Sequence, residues 1–257
     1  MPTPWLPTAG EPLLPLLRPD WPAPPRVRAC VTTRAGGVSA GPYATLNLGV
    51  HVGDDPAVVV ANRARLRAAL SLDTEPVWLR QVHGVAVARL PAPPDTLEAD
   101  AAVASDAGVV CAILTADCLP VLFCADDGSA VGAAHAGWRG LLAGVLEQTL
   151  RALPVPSSRV LAWLGPAIGP RAFEVGREVR DAFVGADPAA AAAFASSDVH
   201  GKYLADLYAL ARLRLRAAGV TRIHGGGECT HGDRERFFSY RRDGVCGRMA
   251  TLIWLAD

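Results

Sequence analysis

Lysine is nearly absent from this sequence: Lys202 is the only one, and every other basic side chain is arginine. Codon bias toward Arg and Ala accounts for that, so an arginine here is not by itself a phosphate ligand. Excess charge of either sign is also lacking, since 25 basic residues meet 25 acidic ones and the net charge is zero. That balance excludes a protein built mainly to grip nucleic acid or an anionic membrane. No apolar run reaches the roughly 20 residues of a membrane span. The longest, Val109 to Ala125, is interrupted by Asp117 and Pro120. Pro2, Pro4, Pro7 and Pro12 stand where a signal peptide needs a charged start and a smooth apolar stretch, so the expected location is the cytoplasm.

Several motifs are missing as well. There is no C-x-x-C pair, no H-E-x-x-H, no Walker A loop, no Rossmann fingerprint and no EF-hand. Six cysteines (30, 111, 118, 124, 229, 246) show no dense disulfide spacing, and in a reducing compartment they read as thiols, core fillers or metal ligands. Gly37-Val38-Ser39-Ala40-Gly41 fits G-x-S-x-G, but a nucleophile elbow needs a helix directly after the serine, and Pro42 follows instead. Arg234 to Arg242 interleaves basic and aromatic residues, yet Asp233, Glu235 and Asp243 largely cancel the charge.

What is present is a long supply of apolar residues, 51% of the chain, enough for a substantial core. Residues 1–25 are Pro-rich and read as an extended N-terminal arm or edge segment. Strands are predicted over 27–33, 77–79, 109–115, 120–124, 130–135, 160–164 and 249–255, from short apolar runs bounded by turn residues. Helices are predicted over 57–70, 141–153, 174–183 and 202–218, with Asp54 or Asp55 capping the first and Gly219 ending the last. The Ala-rich stretch 185–197 reads as a surface helix. Strands and helices alternate irregularly, without a repeat or a linker. The fold class is therefore α/β of the α+β type, a mixed-sheet arrangement in one domain over 1–257.

Three borderline-soft ligands stand at strand ends. His83 follows a short strand, Cys118 sits in the break between two strand runs, and His135 closes the next. Strand ends on one edge of a sheet can converge from distant positions. A thiolate with two imidazoles suits Zn²⁺ and leaves a fourth position for water. Cu²⁺ is a competitor for the same ligands. The same residues also permit a metal-free reading, in which Cys118 is a nucleophile and His135 or His83 its base, as in a cysteine hydrolase. A third reading makes the metal a structural staple in a protein with no catalytic role. Spacing alone does not choose among them. Cys30, Cys111 and Cys124 alternate with aliphatics inside strands and read as core.

Three segments carry a resemblance. Arg80-Gln81-Val82-His83-Gly84, Thr115-Ala116-Asp117-Cys118-Leu119-Pro120-Val121 and Ala134-His135-Ala136-Gly137-Trp138-Arg139-Gly140 together resemble the laccase-domain family, whose bacterial members are named polyphenol oxidases or purine nucleoside phosphorylases. The likeness continues through Gly165-Pro166-Ala167-Ile168-Gly169-Pro170 and Phe173-Glu174-Val175-Gly176 to Phe237–Asp243 and Gly247–Ala250, covering the chain from about Arg34 onward. It implies a layered α/β sandwich with mixed sheets flanked by helices. It implies one zinc at His83, Cys118 and His135. It also implies phosphorolysis of adenosine, inosine and methylthioadenosine, with deamination of adenosine. Copper-dependent phenol oxidation is the alternative that the older name carries. A multicopper centre needs roughly ten imidazoles, whereas this chain has six (51, 83, 135, 200, 224, 231).

Phosphorolysis needs an anion site beside the sugar. Arg34, next to Gly36-Gly37, and Arg139, at a helix start, are candidates for it. Asn47 is a candidate for nucleoside binding, and Arg241, beside Phe238 and Tyr240, for stacking a base or meeting phosphate. Asp117 adjoins the cysteine and is a candidate for orienting a ligand or moving a proton, or is an ordinary turn residue. The expected partners are small molecules, purine nucleosides and phosphate, with no nucleic acid and no membrane. The expected assembly is a monomer or small homo-oligomer.

Overall fold

In the computed structural model, which describes residues 14–93 and 97–257, the chain enters at a sheet edge. The first half of the predicted arm, residues 1–13, lies outside the described residues. β1 (Leu16–Leu17) pairs antiparallel with β2 (Val27–Thr32). α1 (Pro56–Ala69) follows, capped by Asp55, whose carboxylate accepts the Ala57 N–H at 2.8 Å. Pro56 opens this helix, where a missing N–H leaves no bond unmade. Then come β3 (Val77–Trp78), β4 (Val87–Leu90), β5 (Ala101–Ala104), β6 (Cys111–Thr115), β7 (Leu119–Ala125) and β8 (Val131–Ala136). α2 (Trp138–Ala143) and α3 (Val145–Ala152) precede β9 (Val160–Leu164), β10 (Glu174–Gly176) and α4 (Arg177–Ala186). The chain ends through β11 (Phe194–Ser196), β12 (Lys202–Ala205), α5 (Leu207–Ala217), β13 (Arg222–Gly225), α6 (Tyr240–Asp243) and β14 (Met249–Leu255).

Two large sheets result, ordered β1-β2-β14-β6-β3 and β13-β9-β7-β8-β5-β4, with a small sheet β10-β12-β11 beside them. Both large sheets are mixed: β3–β6, β13–β9 and β4–β5 run parallel and the other pairs antiparallel. The period of two along each strand sorts side chains into layers. Val31, Ile113 and Ile253 of the first sheet meet Leu122, Cys124, Val131, Ala133 and Leu161 of the second in one core. The opposite face of the first sheet, with Cys30, Ala112, Leu114 and Leu252, packs on Leu66 and Ala69 of α1 and on Leu46 and Leu48. The opposite face of the second, with Val121, Phe123, Ala134 and Ala162, packs on Leu141, Leu146 and Leu150 of α2 and α3 and on Leu210 and Leu215 of α5. The layers are thus helix, sheet, sheet, helices, the mixed α/β sandwich expected from the sequence.

Several predicted elements need correction. The helix expected over 141–153 starts earlier, at Trp138, and is broken in two at Gly144, whose φ of 103° only glycine adopts readily. The helices expected at 174 and 202 both begin as strand, β10 and β12, which pair with each other. Asp206 then caps α5 by accepting the Ala209 N–H at 2.9 Å. Apolar periodicity was continuous across each junction, so the switch from two to 3.6 was hidden. The Ala-rich stretch is a 3₁₀ turn at Pro188–Ala193 followed by β11, not a surface helix. β4 and β5 had been missed.

The chain crosses from one large sheet to the other at one end of the sandwich, and it does so twice there. One crossing joins β3 to β4, and the other joins β6 to β7. His83 lies in the first and Cys118 in the second.

Candidate metal centre

Strand register assembles the centre. The β7–β8 pairing sets Pro120 opposite His135. Cys118, just before β7, therefore falls beside Gly137, just after β8. The β5–β8 pairing sets Ala101 opposite Ala134. Asp100 accordingly falls beside His135, and the His135 main-chain N–H donates to the Asp100 carbonyl at 2.7 Å. His135 shares its parity with Val131 and Ala133, so its ring enters the space between the sheets from the second of them.

The first crossing is pinned to both sheets. Gln81 donates to the Leu114 carbonyl and accepts the Leu114 N–H, each at 2.8 Å, extending the first sheet by a side chain. The next three residues turn onto the second sheet. The N–H groups of Val82, His83 and Gly84 all donate to the Asp100 carboxylate, at 3.1, 2.9 and 2.7 Å. His83 has a φ of 62° and Asp117 a φ of 94°, both in the left-handed region that costs an L-residue about 1–2 kcal/mol.

One donor atom from each of His83, Cys118 and His135 lies within 4.8 Å of the others. Cys118 Sγ is 3.8 Å from His83 Nε2. The two imidazole rings meet edge to face, with centroids 4.7 Å apart. Bonds of about 2.3 Å to sulfur and 2.0–2.1 Å to nitrogen in a tetrahedron place ligand atoms roughly 3.5 Å apart. The trio is sized for one ion of that kind, and it can hold a metal ion. Among the described residues it is the only such group of three. His135 is buried, Cys118 half-buried and His83 exposed, so the open side faces solvent past His83.

Gly137 is what lets the trio close. A Cβ at that position would stand 2.9 Å from His83 Cδ2 and 3.1 Å from Cys118 Sγ. Gly140 repeats the device one turn on, with its Cβ position 2.9 Å from the Gly84 carbonyl.

Burial pushes the Cys118 thiol up, but the His135 charge and the hydrogen bonds from both histidines outweigh it and hold the thiol well below its ordinary range. Burial likewise disfavours a charged His135, yet the Cys118 thiolate and the Asp100 carboxylate raise it above the ordinary imidazole range. Both shifts favour a thiolate beside a protonated imidazole when no metal is bound. Alkylation rate follows the thiolate fraction. In metal-stripped protein, Cys118 is therefore expected to reach half its maximal alkylation rate at a pH well below the ordinary midpoint of about 8.5. A midpoint at or above the ordinary value, with the modified residue identified by mass spectrometry, removes the ion pair. Cys30, Cys111 and Cys124 are pushed up to about 12 by burial and behave as core.

The other candidate residues fall in different places. Asp117 accepts the Thr230 hydroxyl at 2.6 Å and the Arg241 N–H at 2.7 Å, tying the cysteine turn to the loop before α6 and to α6 itself. Both of its oxygens are in use. Arg34 donates to the carbonyls of Ala44 and Arg234 at 3.0 and 3.1 Å and lies over the Phe238 ring. Asn47 is fully buried and bonds to Gly49, Asp54 and the Arg248 N–H, so its amide is spent inside the loop. Arg241 donates to the Glu174 carbonyl at 2.8 Å and lies over Phe173. Arg139 is exposed, with its guanidinium 4.3 Å from the Trp138 ring centroid. Ser39 of the rejected G-x-S-x-G segment is buried and bonded to Asp54 and Asn62. The residue the sequence reading missed is Asp100, whose carboxylate also meets His135 Nδ1 at 2.8 Å. Its one signal was a single carboxylate directly before the apolar run Ala101–Ala104.

A family model described as multi-copper polyphenol oxidoreductase laccase matches residues 28–256. A purine nucleoside phosphorylase of Pseudomonas aeruginosa is 59% identical over 241 residues, covering 94% of this chain and 98% of that one. The Escherichia coli purine nucleoside phosphorylase YfiH is 57% identical over 242 residues, covering 93% and 98%. Among solved structures, a Neisseria meningitidis protein superposes with a TM-score of 0.89 at 52% identity, over 94% of this chain and 99% of that one. YlmD from Geobacillus stearothermophilus does so at 0.87 and 35%, over 94% and 96%. On the span of that match and the level of these identities, the chain belongs to the multi-copper polyphenol oxidoreductase laccase family.

Proposed function

We propose that this protein is a purine nucleoside phosphorylase that works with one zinc ion at His83, Cys118 and His135. The activity is supported by the relatives named for it, two of them more than half identical over nearly the whole chain. The observation that carries the metal reading is the convergence of one thiol and two imidazoles within 4.8 Å, at an end of the sandwich that opens to solvent. Such a donor set favours zinc, and zinc when bound supplies Lewis acidity and acidifies a coordinated water. The substrates we assign are adenosine, inosine and methylthioadenosine, with adenosine also deaminated.

In phosphorolysis, phosphate displaces the purine from the ribose C1′, so the chain must hold an anion next to the sugar. Arg139 is the residue we assign to it. It starts two residues after Gly137, which touches the metal trio, and among the described residues its guanidinium makes no hydrogen bond or ion pair. Arg34, Asn47 and Arg241 act differently. Their polar groups are largely committed to backbone carbonyls and loop contacts, so their part is to shape the walls of the nucleoside site. Asp117 holds the Cys118 turn in its left-handed form.

One observation favours a second reading. Cys118, His135 and Asp100 stand in the order nucleophile, base and orienting carboxylate, as in a metal-free cysteine hydrolase. Copper-dependent phenol oxidation has less behind it. Six histidines fall short of a multicopper set, and among the described residues only a single copper at the trio fits. Metal content of freshly purified protein, measured beside phosphate-dependent product release from a panel of nucleosides, separates the three. About one zinc per chain, with base released only when phosphate is present, is expected. Negligible metal with rapidly alkylated Cys118 sinks the zinc reading. Phenol oxidation that disappears on copper removal while phosphorolysis persists makes the oxidase activity incidental.

A further inference from the structure

Asp100 is wholly buried. A carboxylate in that position is costly unless its lone pairs are filled. Here four N–H groups fill them. His83 N–H and His135 Nδ1 share Oδ1, at 2.9 and 2.8 Å, while the Val82 and Gly84 N–H groups share Oδ2, at 3.1 and 2.7 Å. The main chain of Asp100 is fixed too, donating to the Ala86 carbonyl at 3.0 Å and accepting the His135 N–H at 2.7 Å.

Each of these bonds has a consequence for a ligand. A carboxylate only accepts, so His135 Nδ1 carries a proton, and Nε2 is the nitrogen left to give its lone pair to a metal. The ring is thereby set in one tautomer and one orientation. His83 sits at a φ of 62°, which a histidine seldom adopts unaided, and the three successive N–H groups that meet the carboxylate hold it there. We infer that Asp100 is the positioning residue that sets both imidazole ligands at once, one through its ring and the other through its backbone. This rests on the reading of His83, Cys118 and His135 as metal ligands. An amide cannot replace the carboxylate, because one of its two ends donates and would face either Nδ1 or the Val82 and Gly84 N–H groups.

The test compares the zinc affinity of wild-type chain and Asp100→Asn by chelator competition, alongside the melting temperature of each metal-free form. Asp100→Asn is expected to bind zinc about 10–100-fold more weakly. A wild type that takes no zinc overturns the metal reading and this inference with it. A wild type that binds, beside a variant that binds equally tightly, overturns the inference alone. Should Asp100→Asn fail to fold, heteronuclear NMR of zinc-loaded, isotope-labelled wild type decides. A proton on His135 Nδ1 with Nε2 toward the metal supports the assignment, and the reverse tautomer overturns it.

Discussion

Replacing His83 with alanine is expected to leave the protein folded while zinc occupancy falls below about a tenth of an equivalent and phosphorolysis drops by about 100-fold or more, some 2.7 kcal/mol of transition-state stabilisation. The side chain is exposed, and its ring meets Cys118, His135 and the backbone of Gly137. The bond that holds this loop comes from the backbone N–H to Asp100, which alanine retains. The cost in stability of the metal-free form should therefore stay within about 1 kcal/mol. Metal analysis, a melting curve and a phosphate-dependent inosine assay check the three parts. The same variant discriminates between mechanisms. If Cys118 is a nucleophile served by His135 and Asp100, removing His83 leaves that line intact and much of the activity survives. Retained turnover with no metal would decide for the hydrolase.

Gly137→Ala is the second large effect. The glycine sits at φ −61° and ψ 156°, a conformation alanine takes without strain. The added methyl carbon, however, would stand 2.9 Å from His83 Cδ2 and 3.1 Å from Cys118 Sγ, well inside ordinary carbon and sulfur contacts of about 3.5–4 Å. Cys118 is anchored at the start of β7, so the exposed His83 ring is the group that yields. Displacing a ligand by several tenths of an ångström in a fixed tetrahedron is expected to weaken zinc binding by about 10–100-fold, with a matching fall in turnover. Folding of the metal-free chain changes little. A variant with wild-type zinc affinity would show that the ring is not held where the glycine places it.

The sequence carried the outline of the centre, and the reasons are physical. Cys118 falls where two apolar runs break, because the chain turns from one sheet into the other there. His135 closes a small-residue run, because β8 is buried on both faces. His83 was legible only through its neighbours, since β3 is two residues long and the loop is shaped by hydrogen bonds rather than by pattern. Asp100 was barely legible, marked only by its place directly before the run Ala101–Ala104. Three of its four carboxylate partners are backbone N–H groups, and backbone donors leave no mark in a sequence. The same blindness hid β10 and β12, where strand passes into helix through one apolar stretch, and β5, whose alanines signal neither strand nor helix. Asn47 shows the opposite failure. A polar residue in a Gly-flanked loop looked available to a ligand, but the fold spends all of its hydrogen bonds internally.

The double crossing at the sandwich end has a consequence for when an ion can enter. A zinc finger gathers its ligands from near neighbours, so the ion can template the fold. Here His83 and Cys118 are 35 residues apart and sit on separate crossings between sheets that must already be stacked. Cys118 and His135 meet through the local β7–β8 pairing, but His83 joins them only when its loop docks on Asp100, so the complete trio exists only in the folded chain. An ion seated there would tie the His83 crossing to the β7–β8 pair of the second sheet. It would withdraw protein from the unfolding equilibrium in proportion to its occupancy, and would have to depart before that crossing can lift away.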